Sequence, residues 1–106
     1  MKRIPLMQLT LGDEELQQIS AVLDSGYIVS GPRVAAFEAG ISSFLGIEES
    51  VACSSGTSAI QLSLMALDIG PGDEVVVPDF CFPSVASAVL HTGAEVVLCD
   101  VDPNTF

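Results

Sequence analysis

The chain has 106 residues, 49% apolar and 16% charged, which is enough for one small domain and too apolar for disorder. Fourteen acids stand against three bases, a formal net charge of −11. That balance argues against nucleic-acid binding, which needs clustered Lys and Arg, and against anionic membrane surfaces.

The three cysteines, Cys53, Cys81 and Cys99, are far apart and form no CxxC pair. Neither a zinc site nor a disulfide framework is indicated, and burial as free thiols is expected. Lys2 and Arg3 are followed by Pro5 and Gln8 rather than by a continuous apolar run. No signal peptide or membrane span is predicted, and a cytoplasmic location is expected.

In chain order, the first predicted helix covers 13–24. Leu16, Ile19, Val22 and Leu23 repeat at helical spacing, acids crowd the first turn, and Gly26 can end it. Tyr27 to Pro32 reads as a loop. A second helix is predicted over Val34 to Leu45, with Val34, Phe37, Ile41, Phe44 and Leu45 on one face and Gly46 as its stop. From residue 50 the pattern becomes strand 51–53, helix 56–68, a Gly70-Pro71-Gly72 turn, strand 74–77, helix 83–91, a Gly93 stop and strand 95–100. Val75-Val76-Val77 and Val96-Val97-Leu98 are short apolar runs of the kind buried in parallel sheets. Connections of about a dozen residues containing a helix are what parallel strands require. The expected fold class is therefore α/β, a βαβαβ parallel unit preceded by two helices. The expected division is 1–48, helical, and 49–106, a partial α/β domain.

One segment points to chemistry. Cys53-Ser54-Ser55-Gly56-Thr57-Ser58 stands where the first predicted strand turns into a helix. The first N–H groups of a helix lack intrahelical partners and carry partial positive charge, so such a turn can hold a phosphate. Gly56 permits close backbone approach, and Thr57 and Ser58 add hydroxyls. In parallel sheets ligands gather at the carboxyl ends of the strands. That rule brings the 54–58 turn, the Asp79-Phe80-Cys81-Phe82 turn and Asp100-Val101-Asp102 to one rim.

With these pieces in order, the sequence resembles the DegT/DnrJ/EryC1/StrS family of pyridoxal-phosphate (PLP)-dependent sugar aminotransferases, of fold type I. The matching runs are Gly26 to Glu38, Ser54 to Ile60, Gly70 to Pro78, Phe80 to Phe82 and Gly93 to Asp102. The resemblance implies the N-terminal part of a fold type I large domain, with PLP as cofactor. Gly56, Thr57 and Ser58 would bind its phosphate, and Phe82 would stack on its ring. Tyr27, Ser30 and Gly31 would lie toward the substrate. It also implies a homodimer working on a nucleotide-linked keto-sugar, with glutamate or glutamine as donor, in polysaccharide or antibiotic sugar biosynthesis. Family members transfer the amino group through a Schiff base on a lysine that would lie beyond residue 106. The one lysine here is Lys2, outside every motif. No catalytic residue and no metal ligand is therefore assigned, and a fragment of a longer enzyme is expected.

Plainer readings compete. The serines at 54–58 can simply cap a helix. Phe82 can be ordinary core, and His91 can serve a helix end through the dipole. The chain can be an inert truncated piece or a binding module. A remote alternative is a haloacid-dehalogenase-type phosphatase, whose strand-terminal Asp-x-Asp Asp100 and Asp102 would imitate.

Overall fold

The computed structural model describes residues 4, 5 and 7–105. Its contacts fall into two compact units, Met1–Ser50 and Val51–Phe106.

In the first unit, α1 runs Asp13–Ser25. Its start follows from local chemistry. Gly12 has no capping side chain, but its N–H donates to the Glu15 carboxylate (Oε2) at 2.7 Å. Asp13, Glu14 and Glu15 in the first turn complement the positive end of the dipole. Gly26, at φ 69°, turns the chain out in the left-handed region, and its N–H returns to the Leu23 carbonyl. The Gly12 N–H holds the Glu15 carboxyl below its ordinary pKa of 4.5. A depressed acid stabilises the fold above its unfolded pKa, and the benefit disappears as pH falls through the folded value. The Gly12 amide resonance is accordingly expected to titrate with a midpoint below 4.5. A midpoint at or above that value in an NMR titration would remove this cap from the account.

α2 runs Pro32–Leu45, two residues longer at its start than the predicted helix. Pro32 belongs to the helix rather than to the loop. At the first helical position its missing N–H costs nothing, and its ring presets φ. Ser42 is the one buried residue of α2, and α1 has none. The Ser42 hydroxyl donates to Ser50 Oγ at 3.1 Å, and the Ser50 hydroxyl donates to the Glu38 carbonyl at 2.7 Å. This relay ties the end of the unit back onto α2. The apolar stripes that predict both helices stay largely open, with Leu16 at 64%, Phe37 at 60% and Phe44 at 86% exposure.

In the second unit, α3 (Gly56–Ala66) leads to β1 (Glu74–Pro78), α4 (Ser84–Thr92) and β2 (Glu95–Cys99). The strands pair in parallel, with Glu74 beside Glu95, Val76 beside Val97 and Pro78 beside Cys99. Two further bonds extend the ladder, Glu95 N–H to the Asp73 carbonyl at 2.8 Å and Asp79 N–H to the Cys99 carbonyl at 2.9 Å. The α/β class and the β1-α4-β2 crossover agree with the sequence pattern. The predicted strand over 51–53 does not form: among the described residues the sheet has two strands, β1 and β2. An extended run becomes a strand only when it joins a continuous ladder, and 51–53 is not part of the described sheet. Here α3 carries the chain from 51–53 to β1 without a ladder between them. The βαβαβ expectation is thus reduced to βαβ preceded by a helix.

α3 ends at Ala66, short of the predicted 68. Asp68 turns left-handed at φ 56°, a conformation more often given to glycine. The core of this unit is small: Val77, Ala88, Val89 and Ala94 are buried. Leu64, Ile69, Val75, Val85, Ala86 and Val96 pack around the cluster of Val77, Val89 and Ala94. Strand alternation accounts for the division along β1. Val75 and Val77 turn to the core, while Val76 faces the other way and is 65% exposed.

The expectation of buried thiols is corrected. Cys81 and Cys99 are exposed and Cys53 is half-buried. Cys81 lies beyond the end of β1 and Cys99 is the last residue of β2, where side chains leave the core.

Candidate functional site

The start of α3 is built by Ser55. Its backbone is extended (φ −159°, ψ 160°), and its side chain caps the helix. Ser55 Oγ accepts from the Ser58 N–H at 3.1 Å, and the Ala59 N–H bonds the Ser55 carbonyl at 3.0 Å. The Ser58 hydroxyl lies 2.9 Å from Ser55 Oγ and 3.4 Å from Ser54 Oγ, so three hydroxyls form one cluster. Among the described residues, the N–H groups of Gly56 and Thr57 meet no acceptor. A Cβ added at Gly56 would meet nothing within 4 Å. The start of α3 therefore offers two amide donors and open space, with Thr57 half-buried beside it. Beside this start, Cys53, Ser54, Ser58, Gln61, Leu62 and Met65 line much of a shallow open groove of about 390 Å³.

The second element of the site is the segment after β1. Cys81 donates its S–H to the Pro78 carbonyl at 3.0 Å, and the Phe82 carbonyl accepts from the Val85 N–H at 3.1 Å, entering α4. The Phe82 ring is 77% exposed. It is not part of the small core of this unit. The Asp79–Cys99 bond joins this segment to the residues that follow β2.

The segment after α3 lies against the carboxyl end of α4. A Cβ on Gly70 would lie 3.5 Å from the Thr92 carbonyl, and one on Gly93 would lie 3.1 Å from Pro71 Cγ. The carboxyl ends of α3 and α4 therefore meet, and the two helices pack on each other. The amino end of α4 follows the carboxyl end of β1 in the chain.

Asp100 and Asp102 have turn work to do. Asp100 Oδ1 accepts from the Val101 N–H at 2.8 Å. Asp102 Oδ1 accepts from the N–H groups of Asn104 at 2.8 Å and Thr105 at 3.1 Å. Those bonds, Asn104 first, hold the Asp102 carboxyl below its usual range. His91 lies in the last turn of α4, where a cation suits the dipole.

In the first unit, Tyr27 and Gly31 line an open groove of about 480 Å³ together with Ile28, Arg33 and Val34. A Cβ at Gly31 would meet the Tyr27 ring at Cδ1 and Cε1, so the ring would have to turn aside. Ser30 is exposed on the same loop.

Sequence reasoning overlooked Ser55 as a distinct part of the site. The available signal was a serine just before a predicted helix and three residues ahead of another hydroxyl, the spacing of an N-cap and its third helical residue.

An aminotransferase from Saccharopolyspora spinosa that acts on dTDP-4-dehydro-2,3,6-trideoxy-D-glucose is 46% identical over 105 residues, covering 97% of this chain and 27% of the relative. The spore coat polysaccharide biosynthesis protein SpsC of Bacillus subtilis is 41% identical over 103 residues, covering 97% of this chain and 26% of SpsC. The solved structure of Spr1654 from Streptococcus pneumoniae in its PLP form superposes with a TM-score of 0.89 at 32% identity, covering 98% of this chain and 26% of that one. The chain thus spans about a quarter of the length of the curated relatives it matches. No helix among the described residues is long and apolar enough to cross a membrane. With residues 9–106 matched to it, the chain belongs to the DegT/DnrJ/EryC1/StrS aminotransferase family.

Proposed function

We propose that this chain carries the cofactor-holding segment of a PLP-dependent aminotransferase. The substrate class is a nucleotide-linked keto-sugar, with glutamate or glutamine as amino donor. The working form is a cytoplasmic homodimer. Family membership and the named sugar substrate of the Saccharopolyspora relative support this reading. Residues 1–48 form its helical lead segment and 49–106 its cofactor-binding part.

The observation that carries the reading is the start of α3. Two amide donors open onto space that a side chain at residue 56 would otherwise occupy. With only three bases in the chain, a phosphate held here depends on N–H groups, hydroxyls and the helix dipole rather than on Lys or Arg. Gly56 and Thr57 hold the phosphate through their amides, the Thr57 hydroxyl adds a donor, and Ser58 completes the turn. The exposed Phe82 ring covers the flat face of the pyridine and limits its tilt. Tyr27, Ser30 and Gly31 lie on the sugar side. PLP, when bound, supplies an electrophilic aldehyde and an electron-accepting ring. The residues of this chain bind and orient it. Imine chemistry needs a desolvated lysine, and the one lysine is Lys2, ahead of every element of the site. The 106-residue chain alone is therefore expected to bind PLP without transferring an amino group.

The test is titration of the chain with PLP, followed by ring absorbance. Saturable binding is expected, weakened up to about tenfold by Phe82→Ala, the loss of one aromatic contact. A folded chain that binds no PLP, or one that transaminates a keto-sugar unaided, would overturn the assignment.

A further inference from the structure

We infer that Ser55 is a positioning residue for the phosphate site and that it decides which amides the phosphate receives. The inference rests on the PLP reading above and goes beyond it. Four N–H groups at the start of a helix lack intrahelical partners. In α3 these belong to Ser55, Gly56, Thr57 and Ser58. Ser55 Oγ already takes the last of them, the Ser58 N–H, at 3.1 Å. The Ser58 hydroxyl is held as well, 2.9 Å from Ser55 Oγ and 3.4 Å from Ser54 Oγ. Ser58 is thereby occupied at both its amide and its side chain. The Ser55, Gly56 and Thr57 N–H groups remain, and of these Gly56 and Thr57 are the adjacent pair within the first turn, beside the open space at residue 56.

The cap has two consequences for an anion. It fixes the first turn before ligand arrives, so the two free N–H groups need little ordering when phosphate binds. It also satisfies the Ser58 donor internally, so the phosphate is drawn to the tip of the helix rather than along its flank. Ser54 and Ser58 buttress Ser55 and do not ligate. Their hydroxyls orient the capping oxygen, and that oxygen orients the turn.

The test follows backbone amides of the ¹⁵N-labelled 106-residue chain, first without ligand and then on titration with PLP and, separately, inorganic phosphate. In the unmodified chain the Ser58 amide is expected to exchange slowly with solvent. The Gly56 and Thr57 amides are expected to shift on titration while Ser58 stays in place. Ser55→Ala is expected to speed Ser58 exchange about tenfold and to weaken PLP binding by a similar factor, the scale of a lost N-cap. The Ser58 amide then joins those that respond to ligand. Ser55→Thr, which keeps an acceptor oxygen, is expected to restore both properties, and a helical far-UV spectrum in all three proteins separates positioning from unfolding. Movement of the Ser58 amide in the unmodified chain, or identical behaviour of Ser55→Ala, would overturn the inference while leaving the PLP reading intact. A titration in which no amide of 54–58 responds to PLP would overturn both.

Discussion

Gly56→Asp is expected to abolish PLP binding while leaving the thermal melt unchanged or slightly raised. The two effects have opposite signs because one charge meets two different neighbours. A carboxylate in the first turn of a helix is favoured by the dipole, by about 0.3–1 kcal/mol at an exposed position. Gly56 is exposed, has no left-handed φ, and has room for a Cβ, so the fold has no reason to reject a side chain there. A phosphate at the Gly56 and Thr57 amides would meet the same carboxylate at contact distance. Like-charge repulsion there, on the order of 3 kcal/mol at the effective dielectric of a protein surface, lowers affinity about 100-fold. Calorimetric titration with PLP and a melt followed by circular dichroism together check the result. Retained affinity would remove the phosphate from the tip of α3, and a collapsed melt would make residue 56 a structural position.

Val89→Asp is expected to abolish cooperative unfolding of the second unit. Val89 is 1% exposed and sits with Val77 and Ala94 in the one buried cluster of that unit. An unpaired charge cannot enter such a site without a penalty of several kcal/mol, and no base among the described residues is buried to offset it. A core this small supplies only about 3–5 kcal/mol of net stability in a unit of this size. The penalty therefore matches or exceeds the whole margin. Leu90→Asp is the control. Leu90 is the next residue on the same helix but is 61% exposed, and its replacement is expected to change stability by less than about 0.5 kcal/mol. Loss of amide dispersion in Val89→Asp with retention in Leu90→Asp is the expected pair of spectra. Equal behaviour of the two variants would place the core elsewhere.

Both predictions depend on features that differ in how far the sequence discloses them. Helix positions were legible because their signals are local. Acids at 13–15, Gly26, Gly46 and Gly93 act within a turn of their own position, and the helices stop where they indicate. β1 and β2 were legible for the same reason: two short apolar runs bracket one helix, and a crossover of that length forces parallel pairing. Pro32 was misplaced because a proline after a glycine reads equally well as a loop residue or as the first residue of a helix. Only the backbone conformation distinguishes the two.

The strand over 51–53 failed for a different reason. Its residues suit a strand, but pairing is a property of two segments, and no pattern in Val51, Ala52 and Cys53 names a partner. The exposed cysteines show the same limit. An apolar run shows that a residue lies near the core, and the end of a strand decides that Cys99 lies outside it.

The sequence by itself determined the family, the α/β alternation and the phosphate-compatible turn, because each is carried by neighbouring residues whose spacing is fixed by covalent geometry. Only the tertiary structure decided that Phe82 stands outside the core, and that α3 and α4 pack on each other. It also decided that Ser55 occupies the Ser58 amide and leaves the Gly56 and Thr57 donors free. Those facts depend on which groups compete for the same hydrogen bond or the same volume, and that competition is settled only when the chain has folded.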